Sequence, residues 1–290
     1  MSAATSETAA RRRWRGRPGF VPALFGGVLT LIMVGIGVLS WFYLPDDINA
    51  ISVTDRLLPA GSPGHIFGTD ALGRDMLSEL MVGIRTSFVV GVGSALGGLI
   101  VGAVLGLLAA DRAGLVSDVL MRGVDVFLAI PGIVFALVLV TSLGPSLMTT
   151  IVALTVFFAP AIARITRSAA LGVLEEDFVL AAKLHGRKRL FILVRHVVPN
   201  VSPMLLVQGT IYLARGVLIE AALSYLGAGI QRPDISLGLL ITEIQSQVGL
   251  STLAIVWPGL TIAVLVLGVN ALGDALRDLF DPKLRTGARG

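Results

Sequence analysis

Asp70, Arg74 and Asp75, in the run GTDALGRD at residues 68–75, set two carboxylates beside a guanidinium, the makings of an acid–base or cation site. The i,i+4 step from Asp70 to Arg74 is also that of an ion pair on one helix face, and we expect that pairing rather than chemistry. His65 precedes them without a companion ligand. With only His185 and His196 besides, and no cysteine, the chain has little to offer a transition metal, and no metal site is expected. Glu220 and Arg215 are the ionisable residues deepest in an apolar run, where a charge requires a partner or water. Five positions apart, they do not share an ideal helix face. Glu220 therefore reads either as lining a polar translocation path or as an anchor to a neighbouring helix. Asp125, three residues past Arg122, reads either as an ion-pair partner or as a residue of that path. No GxxxxGKS/T phosphate loop or H-E-x-x-H zinc motif occurs, and no apolar run pairs a serine with a histidine. The chain therefore cannot bind ATP through a phosphate loop and has no zinc-protease motif, a serine protease is less sharply excluded because serines are common, and no catalytic residue is expected.

These residues sit in a 290-residue chain that is 54% hydrophobic and 14% charged, with a mean hydropathy of +0.86. An ordinary soluble domain is about a quarter charged, so too little polar surface remains here to cover a globule. A bilayer crossing needs about 20 mostly apolar residues. On that length we expect an all-α integral membrane protein with six transmembrane helices, at residues 20–44, 86–110, 124–143, 147–163, 199–226 and 250–272. Gly144-Pro145-Ser146 divides the third span from the fourth as a tight hairpin. This 20–273 transmembrane domain contains one sizeable outer loop at 46–83 and a polar loop at 164–198, and is flanked by a basic tail at 1–19 and a second tail at 274–290.

The basic residues orient the spans. Arg11, Arg12, Arg13, Arg15 and Arg17 precede the first, and Arg112 and Arg122 separate the second from the third. Arg164, Arg167, Lys183, Arg187, Lys188, Arg189 and Arg195 fall between the fourth and fifth, with Arg277, Lys283, Arg285 and Arg289 after the sixth. The opposite loops carry only Arg56, Arg74, Arg85 and Arg232. The positive-inside rule then puts both termini in the cytoplasm. The same asymmetry explains the net charge of +4 and leaves no reason to invoke nucleic acid.

The 164–198 loop is too polar to cross and too patterned to be slack. Glu175, Glu176 and Asp177 suit a helix N-terminus, Ala181 and Ala182 are small, and Gly186 can end one helix before Lys188–Val197 resumes the helical period. Two short helices around a glycine turn follow, either docking a partner or lying as a basic connector at anionic headgroups. In the second span Gly93, Gly97, Gly98, Gly102 and Gly106 make small-xxx-small steps, for packing within the chain or against a sister subunit. Residues 231–247 read as an amphipathic helix at the outer interface, and Asp274, Arg277, Asp278 and Asp281 as a salt-bridged helix in the tail.

Paired alanines, a glycine four positions on and Pro199 thirteen beyond it resemble the EAA loop of ABC-importer permeases. The likeness continues in HIFGTDALGRDMLSELMVGIRTS at 65–87, MRGVDVFLAIPG at 121–132, LGPS at 143–146, RHVVPN at 195–200, EAALSYLGAGI at 220–230, WPGL at 257–260 and NALGDALRDLFDP at 270–282. Over residues 20–285 the chain resembles the oligopeptide/dipeptide/nickel permease family, OppC/DppC subtype. Leu180, His196 and Leu237-Gly238 depart from the family's usual residues. The resemblance implies a type I ABC-importer permease fold in a bacterial inner or plasma membrane. Its partners are a homologous permease forming a heterodimer, two cytoplasmic ATPase subunits or domains that bind ATP and magnesium, and an extracytoplasmic binding protein that delivers peptides. It further implies that Ala181, Ala182, Gly186, Arg187 and Pro199 serve the ATPase-coupling loop, and that Gly68, Thr69, Asp70, Gly73, Arg74 and Asp75 form an outer-loop motif. No cofactor bound by this chain is expected. A secondary transporter, the other class weighed, would place several coupling-ion carboxylates near the midplane, where only Glu220 is found.

Overall fold

The computed structural model describes residues 20–111, 114–246 and 254–280. The basic stretch 1–19, Arg112, the expected start of the sixth span at 250–253 and the tail residues Asp281, Lys283, Arg285 and Arg289 lie outside them. Among the described residues all extended elements are helices, as an apolar chain requires when backbone groups must be paired without water. They are α1 (Phe20–Leu39), α2 (Met76–Asp111), α3 (Leu115–Ala129), α4 (Gly132–Leu143), α5 (Leu147–Leu174), α6 (Asp177–Leu184), α7 (Arg189–Ile192), α8 (Val198–Tyr225), α9 (Leu237–Gln245) and α10 (Val256–Phe280). A π turn, Leu193–Val197, joins α7 to α8 without a break. It directly precedes Pro199, whose missing N–H and ring disturb the i→i−4 ladder. Four helices are long and apolar enough to cross a bilayer: α2, α5, the continuous Arg189–Tyr225 rod and α10. The bent pair α3–α4 makes a fifth candidate.

The helix bounds differ from the charge-free runs in several places. Ahead of residue 86, Asp75 caps a helix from Met76, its Oδ2 accepting from the Ser78 amide at 2.9 Å and the Ser78 hydroxyl at 2.8 Å. At 36 residues, α2 is roughly 54 Å long and outreaches a hydrocarbon core of roughly 30 Å. Glu79 and Arg85 end its charge-free run without ending the helix, and Arg164 and Arg167 do the same in α5. The single helix expected over 124–143 is instead two, bent by 90°. Pro131 lacks an amide proton and holds Ile130 extended, at φ −83° and ψ 129°. Finally, Asp274, Arg277 and Asp278 lie on the continuation of α10, and among the described residues no ion pair joins them.

Packing is densest between α2 and α5, where the glycines of α2 let the backbones approach. A Cβ on Gly102 would lie 2.6 Å from the Ala159 carbonyl oxygen, and one on Gly106 would lie 2.5 Å from that of Ala163. The small-residue stripe therefore serves packing within the chain. Three buried clusters stack along the bundle. Leu154, Phe158, Ile162, Tyr212 and Leu223 fill the middle. Met76, Leu80, Ile84, Leu237 and Leu240 close the end that carries the 46–75 loop. Val179, Ile192, Leu193 and Val197 close the opposite end. Helix α9 is thus not a strip lying at an interface. Ser236 caps it and accepts from the Leu239 amide at 3.2 Å, and its apolar face is buried in the second of these clusters.

Candidate functional site

At one end of the bundle the chain turns back on itself between α6 and α8. Val179 is fully buried against Ala170, Ile192 and Val197, which fixes α6 to the bundle. Gly186 has φ +70°, and the chain closes there by bonds from the Gly186 amide to Lys183 O (3.0 Å) and from the Arg187 amide to Ala182 O (3.2 Å). The two helices around a glycine turn are therefore present. The paired alanines separate: Ala182 is half-buried on the third cluster, whereas Ala181 faces outward. Beside it Leu180, Leu184, Leu190 and Val194 are exposed, with Leu184 reaching 89%. Arg187 lies 5.0 Å over the ring of Phe191, and Pro199 is exposed near the start of α8. The result is an apolar surface with a basic rim and, among the described residues, no cover from its own chain.

At the other end, the residues of GTDALGRD are consumed internally. Asp70 Oδ1 accepts from the amides of Leu72 and Arg74, both at 2.8 Å. Asp70 and Arg74 do pair, at 3.8 Å, but across a turn, which corrects the helical pair expected from their spacing. Asp75 caps α2 and meets His65 Nδ1 at 3.0 Å. Thr69 accepts from the Leu58 amide at 2.9 Å. Gly68 and Gly73 have positive φ, and a Cβ on either would strike a carbonyl, of Leu58 and Ser52 respectively. No carboxylate of the motif is left open for acid–base work.

A network that local spacing does not reveal completes this end. Glu79, 1% exposed, accepts from Arg232 Nη2 at 2.7 Å and from Arg74 Nη1 at 3.5 Å, while Arg232 also reaches Glu243 at 2.7 and 2.6 Å. Burial opposes the charge on Arg232, but the hydrogen bonds with Glu243 and Glu79 outweigh it and raise its pKa above the ordinary value. The only sequence signal for the network was a glutamate inside the apolar run Met76–Ile84, since its partner lies 153 residues away.

The midspan candidates part company. Glu220 is fully buried, accepting from Ser87 Oγ and Ser224 Oγ, each at 2.8 Å, so it ties α8 to α2. Arg215 is exposed, over the Tyr212 ring at 5.6 Å. Asp125 pairs with Arg164 of α5 rather than with Arg122, and both side chains are 57% exposed. Among the described residues no group of three or more potential ligands could hold a metal ion.

A family model described as a binding-protein-dependent transport system inner membrane component matches residues 98–286. The di/tripeptide transport system permease protein DppC of Pseudomonas aeruginosa is 38% identical over 231 residues, 80% of this chain and 76% of that protein. The glutathione transport system permease protein GsiD of Pectobacterium atrosepticum is 33% identical over 264 residues, 91% and 88% of the two chains. The fold is similar to that of a chain of the MetNI methionine ABC transporter, solved in inward-facing conformations. The TM-score is 0.60 at 24% identity, covering 71% of this chain and 98% of that one. The long apolar helices, the uncovered helix–glycine–helix turn and these likenesses agree: the chain belongs to the family of binding-protein-dependent transport system inner membrane components, the permeases of ABC importers.

Proposed function

We propose that this permease carries peptides inward through six crossings with both termini cytoplasmic, pairs with a homologous permease, and couples to its ATPase through residues 175–199. As a family member the chain is a transport component rather than an enzyme, and its work depends on a binding protein and an ATPase. The observation that carries the reading is the exposed surface around Gly186, where Leu184 and Leu190 remain open beside Ala181 and Arg187. An apolar centre with a charged rim has the composition of half an interface. The six crossings are the four long helices, the bent α3–α4 pair and the 20-residue α1. Peptides as cargo are supported by the di/tripeptide and glutathione relatives.

Orientation is tested by single cysteines, since the natural chain has none. A cysteine at Ser62 reacts with an impermeant reagent outside intact cells and one at Lys188 does not; the reverse pattern rejects the topology. Cargo and coupling are tested in vesicles holding the whole transporter. Wild type takes up a labelled dipeptide when ATP and binding protein are supplied, and Ala181→Trp reduces both ATPase association and uptake. Unchanged, ATP-coupled uptake by this variant would make the segment a mere connector.

A further inference from the structure

Where α3 leaves α4 at its right-angle bend, it stands away from α2 and α5 and encloses a cavity of about 290 Å3. Val101 and Leu105 of α2, Leu120 and Phe127 of α3, and Val156 and Pro160 of α5 form its walls, with Thr155 contributing a hydroxyl. Gly123 borders it too; a Cβ there meets nothing within 4 Å, and the residue is exposed, so the cavity opens to the surface of α3. Arg164 and Arg167 follow Pro160 by four and seven residues, on the same side of α5 and roughly 6 and 10 Å along its axis. Arg164 already has Asp125 as a partner. Arg167 does not: it is half-buried, its Nε is buried without a hydrogen-bond partner, and among the described residues it makes no ion pair.

An apolar chamber beside an unanswered cation matches an amphiphile: a hydrocarbon chain with an anion at its head. Peptide cargo does not fit, because its amides would find only one hydroxyl for a partner. We propose that the cavity holds an acyl chain of an anionic phospholipid whose phosphate rests on Arg167, as basic pockets between membrane helices are suited to do. The orientation proposed above makes this an inner-leaflet lipid; the binding itself does not depend on that orientation, and neither does its test.

The assembled transporter is purified in detergent and titrated with phosphatidylglycerol or phosphatidylcholine, with bound lipid read by native mass spectrometry. Phosphatidylglycerol is expected to bind at least about fivefold more tightly, and Arg167→Gln to remove that preference. Gly123→Leu fills the cavity, improves helix propensity and is expected to weaken both lipids. Arg56→Gln, at the other end of the protein, is expected to change neither. Millimolar inorganic phosphate should leave the bound lipid in place. Complete displacement by phosphate, with Gly123→Leu silent, would assign Arg167 to a free anion and overturn the acyl site. Lipid binding that survives both substitutions, or an assembled complex that binds neither lipid, would also overturn it.

Discussion

The two ends of the molecule treat polar and apolar groups in opposite ways. At the 46–83 end, Asp70, Asp75, Glu79 and Arg232 all find partners within the chain, and α9 is sealed by Met76 and Leu80. At the 175–199 end, Leu184, Leu190 and Val194 are left in the open and, among the described residues, Arg187 has only the Phe191 ring. A surface whose groups are satisfied internally can be stable alone. One whose apolar side chains are not is finished by another protein. The comparison therefore sets an internally satisfied end against an uncovered one, where coupling is proposed, and substitutions can separate the two.

The largest effect is expected at Glu79. Glu79→Ala leaves Arg232 with Glu243 alone and Arg74 with Asp70 alone, and the loss of the shared buried carboxylate costs about 1–3 kcal/mol. Thermal unfolding of the purified protein should fall well below wild type; an unchanged midpoint would mean the network is not what closes that end. Next is Gly186→Val. A β-branched residue at φ +70° is strained by about 1–2 kcal/mol, enough to lower ATP-coupled uptake about tenfold while insertion remains normal. Leu184→Ser should move unfolding by less than about 0.5 kcal/mol, because the side chain is open to solvent, yet weaken ATPase association severalfold. Pull-down of the ATPase measures it, and a loss of stability instead would blur the contrast between the ends. The smallest change is expected for Asp125→Asn. Its exposed pair with Arg164 is worth at most about 1 kcal/mol, so unfolding should barely shift.

Local chemistry carried far in the sequence where one residue decides one bend. Gly144 and Gly186 both take positive φ at the turns they announce. Legibility failed where the decision is not local. Helix α2 runs ten residues ahead of the charge-free stretch, because Glu79 is paired with Arg232 from far along the chain. The break at Pro131 was written in the sequence but hidden by the unbroken apolar run around it. The paired alanines looked equivalent, and only packing against Val179 shows that Ala182 belongs to the bundle and Ala181 to the outside.

The π turn at Leu193–Val197 sets the compass bearing of everything attached below α8. A π turn holds one residue more than the α-helix it replaces, and each α-helical residue swings the chain by about 100° around the axis. Were that extra residue removed, α7 would turn about a quarter-circle away from its present direction, carrying Ile192 out of the cluster in which it packs on Val179 of α6. The five residues of this turn thus act as the keyway that keeps α7 facing α6, and a single deletion within it should loosen that end without substituting Gly186 or Arg187.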